Sequence, residues 1–227
     1  MIGKGGKGRG LLEIVKVMMY GNGNNNSDIQ QRIIEKLAEI LSIRSCIIFR
    51  TFLHKEERQL YCKITAGVPK DDHGVGLEEL LDKHPDVKHA TSQKQRFIVI
   101  KNPCENELCS YFKSTIERRK ISEILYIPLL VEVEGSPKTK GAIVIDKRSY
   151  DGREFNEEEI EFCCQVAELI AMLITYQENI FDEIRDKILN KVVSIGGFGK
   201  KLKKASDQLA VVLEDVKKIE DTFSKEI

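Results

Sequence analysis

The amino-acid sequence predicts an α+β fold: a central antiparallel sheet flanked by helices, followed by a long helical segment suited to dimerisation. Three observations lead there. Runs rich in β-branched and aromatic residues, separated by turn-forming clusters, recur between residues 45 and 146. Apolar residues return at three- and four-residue spacing both before and after that stretch. The order is helix, two strands, small helix, strand, helix, two strands, helix, which contains hairpins rather than repeated βαβ units.

Taken in order, residues 1–10 (MIGKGGKGRG) are Gly-rich and basic, and bury too little apolar surface to offset their ordering entropy, so a floppy end is expected. The G-x-G-x-x-G at Gly3, Gly5 and Gly8 has no strand before it and is not a dinucleotide fingerprint. A short helix over 11–20 and the GNGNNN linker complete an N-terminal segment, 1–26. Ser27 and Gln30 have capping-box spacing, and Ile29, Ile33, Ile34, Leu37, Ile40 and Leu41 follow on one helical face.

SCIIFRTFL (45–53) and QLYCKITA (59–66) flank the polar HKEER and predict a hairpin; FIVIK (97–101) is a third strand. Residues 77–83 and 105–120 are expected to be helical. Strands over 124–133 and 140–146 flank EGSPKT as a second hairpin. Asn156 and Glu159 complete a capping box, with Phe155 and Ile160 as a hydrophobic staple. Beyond it, Ile184, Ile188, Val192, Ile195 and Leu202 form a narrow seam along a Pro-free stretch. An unbroken helix there reaches roughly 100 Å at about 1.5 Å per residue, too long to fold on its own sheet, so an external partner is expected.

Composition narrows the function. With 227 residues the chain holds one large domain, or one domain and an appendage. Lys+Arg 36 balances Asp+Glu 36, leaving no uniform positive field for a nucleic acid or an anionic membrane. The longest apolar runs fall well short of the roughly 20 residues that span a bilayer, and no signal peptide opens the chain. A cytoplasmic location and reduced thiols at the six cysteines are the resulting expectations.

SEILYIPLLVEVEG (122–135), KGAIVIDKRS (140–149) and REFNEEEIEFCCQVAELIAMLI (153–174) carry a family resemblance. Over residues 27–175 the chain resembles a GAF domain, the small-ligand sensory module of bacterial signalling proteins. Pro128-Leu129 falls at that family's strand-ending pair, Gly141 opens the hairpin partner, and the Phe-polar-x-Glu-Glu helix start begins at Phe155. The resemblance implies a ligand pocket on one sheet face, with the terminal helices bundled on the other. It places Phe97, Cys104, Cys109, Phe112 and Ile127 at that pocket.

Residues 176–227 contain a second likeness. DKILNKVVSIGGFGKKL (186–202) is similar to the dimerisation and phosphoacceptor helix of sensor histidine kinases, matching at Ile188, Asn190, Ser194, Ile195, Gly197 and Phe198. Asp186 stands at the phosphoacceptor position and Lys187 at the adjacent acid. A carboxylate beside an ammonium lacks the imidazole nitrogen that such phosphorylation requires, and no Walker-type loop is present. The resemblance implies a kinase-like scaffold without catalysis.

Other candidate groups have plainer readings. On a helix the sulfurs of Cys104 and Cys109 lie about 140° apart, which defeats a local disulfide; small buried hydrophobes describe them better than a redox pair. Cys46, Cys62, Cys163 and Cys164 are expected in the core, and His54, His73, His84 and His89 at the surface without a metal. GKKLKK at 199–204 is balanced by acidic clusters, and Gly196, Gly197 and Gly199 mark either a bend or a helix break.

The expected function is a cytoplasmic sensory and dimerisation module with no catalytic residue, an unassigned ligand or cofactor, and a second copy or a histidine kinase as partner. Neither nucleic acid nor membrane is expected. The alternatives are a thiol-dependent reductase of free methionine sulfoxide using Cys104 or Cys109, and a structural adaptor whose pocket is filled by its own side chains.

Overall fold

The computed structural model describes residues 4–20, 26–54, 56–69, 74–93, 95–133, 135–151 and 154–195. Contacts divide the chain into two units, Met1–Ile174 and Thr175–Ile227. In the second unit the described part is helical backbone, ending at Ile195.

Six strands form the sheet of the first unit: β1 (Ser45–Leu53), β2 (Leu60–Val68), β3 (Glu78–Leu80), β4 (Ile98–Lys101), β5 (Ile121–Val133) and β6 (Ser136–Arg148). Their spatial order is β3-β2-β1-β6-β5-β4, and every neighbouring pair is antiparallel. Among the described residues five α-helices accompany them: α1 (Lys4–Tyr20), α2 (Asn26–Leu41), α3 (Pro85–Ser92), α4 (Lys113–Arg119) and α5 (Glu157–Ile195).

Successive strand residues point to opposite faces, and this separates two cores. On one face Ile48, Leu125, Ile127, Leu129, Ile143 and Ile145 pack with apolar residues of α1, α2 and the first turns of α5. Gln31 of α2 clamps β2 by donating to the Gly67 carbonyl at 2.8 Å and accepting the Gly67 N–H at 3.0 Å. On the other face Ile100, Ile124 and Tyr126 pack with Ala90, Cys109 and Ile116. Phe49, Cys62 and Ile64 pack there with Leu81 and Val87.

Several expectations are corrected. The N-terminal helix starts at Lys4, within the stretch expected to be floppy, because Ile14 is fully buried in the helical core. A Cβ at Gly10 would stand 3.3 Å from the Phe162 ring, so the glycine permits close approach. The 77–83 stretch is not a helix: β3 pairs there with β2, and a 3₁₀ turn follows over Leu81–Lys83. Pro85 disfavours helical geometry at His84 and occupies the first position of α3. The 105–120 stretch divides into a 3₁₀ segment, Glu107–Phe112, and α4; the Asn106 side chain caps the former by accepting the Leu108 N–H.

The hairpin turn is tighter than EGSPKT suggested. Val133 pairs with Ser136, and Gly135 between them has φ 73°. Pro137 lies within β6, in the part that extends past β1 and needs no amide on that side. The Ser27 side chain lies outside the described residues; α2 begins at Asn26, and the Gln30 Oε1 accepts from Thr65 Oγ1 at 2.6 Å. Ile184, Asp186, Ile188, Val192 and Ile195 fall within the span of α5. Their side chains, together with Leu202 and the Gly196–Gly199 stretch, lie outside the described residues.

Gly141 joins β6 to β1 where no side chain fits. Its φ is 148°, and an added Cβ would lie 1.9 Å from the Phe49 carbonyl oxygen. Gly141→Ala is expected to lower the unfolding free energy by at least about 2 kcal/mol. A urea denaturation midpoint equal to that of the unsubstituted protein would contradict this packing.

Candidate functional site

The face opposite the terminal helices carries a polar cluster inside an otherwise apolar layer. Asp86, in the first turn of α3, is buried at 4% exposure. Its two carboxylate oxygens accept from separate tyrosines: Oδ2 from Tyr126 at 2.7 Å and Oδ1 from Tyr111 at 2.8 Å. Tyr126 projects from the middle of β5, whereas Tyr111 comes from the 3₁₀ segment, so one carboxylate ties α3 to both the sheet and its covering loop.

The network continues outward. The Tyr111 hydroxyl is 3.2 Å from His84 Nδ1, and His84 Nε2 is 3.1 Å from Glu79 Oε2 on β3. With Tyr111 donating to Asp86, its oxygen can only accept from His84, and an ionised Glu79 is acceptor-only. A neutral imidazole therefore lacks a proton for one of its two contacts. The His84 ring also packs against Phe49 and meets Tyr111 edge-on. Its side chain is 12% exposed, which corrects the surface reading of this histidine.

Burial and the Asp86 charge both disfavour further anions here. Burial first, then Asp86, raises the Tyr126 and Tyr111 hydroxyls above the ordinary tyrosine range. Cys109, whose Sγ lies 4.0 Å from the Tyr126 hydroxyl, is pushed up to about 11 by the same two causes, the Tyr126 contact opposing them. Cys62, on β2, also rises to about 11 through burial, then Glu79 and Asp86. These thiols are poorly disposed to act as nucleophiles.

The expected pocket residues do not form one set. Cys109 is buried in this layer, and Cys104 and Phe112 pack against it. Phe97 precedes β4 with 40% of its surface exposed. Ile127 faces the other way, into the core beneath α1, α2 and α5, because it neighbours Tyr126 on a strand whose side chains alternate. Asp86, Tyr111, Tyr126 and His84 were missed. The alternation of β5 was the available signal for Tyr126, and the His-Pro-Asp start of α3 the signal for Asp86. Among the described residues no cluster of His, Cys, Asp or Glu is placed to hold a metal ion. Nor, among them, is any helix long and apolar enough to cross a membrane.

A second polar constellation joins the sheet to α5. Lys147, at the end of β6, is 3% exposed and pairs with the equally buried Glu159 at 2.7 Å. The Lys147 ammonium also donates to the Glu154 carbonyl at 3.0 Å and lies 4.3 Å from the centre of the Phe155 ring. Glu123, opposite Lys147 on β5, accepts the Phe155 N–H at 2.7 Å. The capping box is formed: Asn156 Oδ1 accepts the Glu159 N–H at 2.9 Å, and Glu159 accepts the Asn156 N–H at 3.3 Å. Glu159 thus serves the helix start and the strand together.

The antiparallel sheet, with terminal helices on one face and short helices over a buried polar cluster on the other, has the architecture of a small sensory module. A model of the GAF domain matches residues 25–174, and the chain belongs to the GAF-domain family. GAF domains are regulatory ligand-binding modules, which places the chain with sensory and signalling proteins.

The GAF domain of a phosphoenolpyruvate-protein phosphotransferase from Coxiella burnetii is 17% identical, with a TM-score of 0.60, over 78% of this chain and 98% of that one. Its counterpart from Acinetobacter is 16% identical, with a TM-score of 0.56, over 78% and 97%. The phycocyanobilin-bound GAF domain of a cyanobacterial phytochrome is 12% identical, with a TM-score of 0.53, over 74% and 93%. At these identities the likeness is one of fold. A comparison with curated protein sequences gave no match.

Two outcomes follow from the buried groups. Lys147→Met strands the Glu159 carboxylate and is expected to cost about 3–5 kcal/mol in chemical denaturation, against little change if the pair were solvated. Cys62, Cys109 and Cys164, each raised from 9.0 to about 11, hold their protons more tightly when folded. Their contribution is therefore complete below about pH 9 and declines as pH rises through about 11. Thermal melts across that window should fall, less steeply in Cys109→Ala; equal slopes in the two proteins would remove the thiol from this account.

Proposed function

We propose that this domain is a sensor in which a small ligand, or a change in the hydrogen-bonding state of the Asp86 cluster, is relayed to α5 and thence to helix pairing. The observation that carries the reading is that β5 serves both constellations and is laddered to β6, which serves the second. β5 supplies Tyr126 to the Asp86 cluster and Glu123 to the Phe155 amide, while β6 supplies Lys147 to Glu159. A displacement of α3 pulls on the same strand pair that anchors the start of α5. The output is pairing through residues 176–227 with a second copy or a histidine kinase, and Asp186, lacking the nucleophilic nitrogen, takes no part in His-type phosphoryl transfer.

The layer around Cys109 and Tyr126 is closely packed, so a ligand reaching Asp86 would displace α3 or the 3₁₀ segment. That same packing favours a second reading, an adaptor filled by its own side chains. The methionine sulfoxide reductase reading has weaker support. Of its two candidate thiols, Cys109 is pushed up to about 11 by burial and Asp86, which keeps it protonated at neutral pH.

Hydrogen exchange of Asp86→Asn tests the relay. Faster exchange is expected in α3 and also across the first turns of α5, with a shift in the monomer–dimer balance by sedimentation. Changes confined to α3 and the 3₁₀ segment would overturn it, and Tyr126→Phe provides the same comparison with the carboxylate intact.

A further inference from the structure

The run of contacts from Tyr126 to Glu79 has one proton fewer than it has hydrogen bonds. It comprises four pairs: Tyr126 with Asp86 Oδ2 at 2.7 Å, Tyr111 with Asp86 Oδ1 at 2.8 Å, Tyr111 with His84 Nδ1 at 3.2 Å, and His84 Nε2 with Glu79 Oε2 at 3.1 Å. Each pair needs a proton between its two heavy atoms. With both carboxylates ionised and the imidazole neutral, the five side chains supply three: one from each tyrosine and one from His84. Two lone pairs must then face each other, either at Tyr111 or at Glu79.

The surroundings leave few places for a fourth proton. Burial first, then the Asp86 charge, keeps Tyr111 and Tyr126 protonated, and Cys62 on β2 and Cys109 in the 3₁₀ segment are pushed up to about 11, chiefly by burial. From β1 comes Phe49, which carries no charge. Lys83 reaches the other Glu79 oxygen, Oε1, at 3.5 Å, and so leaves the His84 contact unfilled. Asp86 already has two hydroxyl donors and Glu79 already has Lys83. A proton on His84, in contrast, sets a cation in the chain between the two carboxylates, with the Phe49 ring 5.6 Å away centre to centre.

We propose that His84 is a proton-operated clasp: uptake of one proton by its imidazole completes the chain and fastens β3 and the 3₁₀ segment over Asp86, and release of that proton opens one of its two contacts. Histidine is the side chain whose charge ordinarily changes between about pH 5 and 8. Asp86 is buried while Tyr111 is 46% exposed, so the opening falls on the solvent side of the carboxylate. The proposal rests on the Asp86 cluster being the sensing layer and names the proton as its input; it is read at His84 itself, apart from the relay to α5.

Nitrogen-15 spectra of the histidine rings in the full chain, taken between about pH 5 and 9, are the test. Two protonated ring nitrogens are expected at His84 at the acidic end and one at the alkaline end. Glu79→Gln exchanges an acceptor for an amide that can donate to Nε2 and so supplies the missing proton; His84 should then bind its own extra proton about tenfold more weakly or less tightly still. Glu78→Gln, which removes the same charge from the opposite face of β3, should leave the midpoint unchanged. Hydrogen exchange in the 3₁₀ segment, corrected for its intrinsic pH dependence, should quicken as His84 loses its proton, and in Glu79→Gln that change should move to lower pH. A single ring proton on His84 throughout, equal shifts in the two variants, or corrected exchange independent of pH would overturn the proposal. If His84 and the 3₁₀ segment respond while exchange in the first turns of α5 stays constant, the clasp stands and the relay falls. Tyr111→Phe, which removes the acceptor at Nδ1, repeats the comparison if Glu79→Gln fails to fold.

Discussion

The alternation of side chains along the paired strands β5 and β6 is the constraint on which the rest of the structure depends. Each strand has 13 residues, and the pair lies inside the sheet, between β1 and β4. Because neighbouring residues face opposite ways, Leu125 and Ile127 are committed to the helical core while Ile124 and Tyr126 are committed to the other layer. A slip of one residue would bury the Tyr126 hydroxyl among aliphatic side chains and strip Asp86 of a donor. Register, polar satisfaction and core packing are therefore one condition rather than three. Gly141 enforces it from the side, since its missing Cβ lets the β1 backbone close onto β6.

The two buried constellations differ in what they contribute. Lys147 and Glu159 are almost fully enclosed, and each has further partners, so the desolvation of the pair is offset by hydrogen bonds and by the capping geometry. That arrangement fixes where α5 leaves the sheet. The Asp86 cluster is more graded: Asp86 and Tyr126 are buried, whereas Tyr111 and Glu79 reach toward solvent. One end is enclosed and the other accessible.

Much of this was legible in the sequence where the determinants are local. The β1–β2 hairpin, the antiparallel β5–β6 pair and the Asn156–Glu159 box follow from spacing and turn chemistry, and the GAF likeness follows from their order. What was not legible depended on contacts distant in sequence. The helical start at Lys4 follows from packing that Gly-rich composition does not announce. β3 exists because three residues pair with β2, and their own sequence, EEL, has no strand signature. The Asp86 cluster joins positions separated by 25 and 40 residues, and no single window contains it. Ile127, placed at the pocket by the family resemblance, lies on the helical face because the parity of β5 sends it opposite to Tyr126.

The outermost strands have a consequence of their own. β3 has 3 residues and β4 has 4, while the interior ladder β5–β6 runs far longer. Short borders in themselves present few unpaired amides and carbonyls along which another polypeptide could add. At those two borders, growth of the sheet by an added strand is thereby disfavoured.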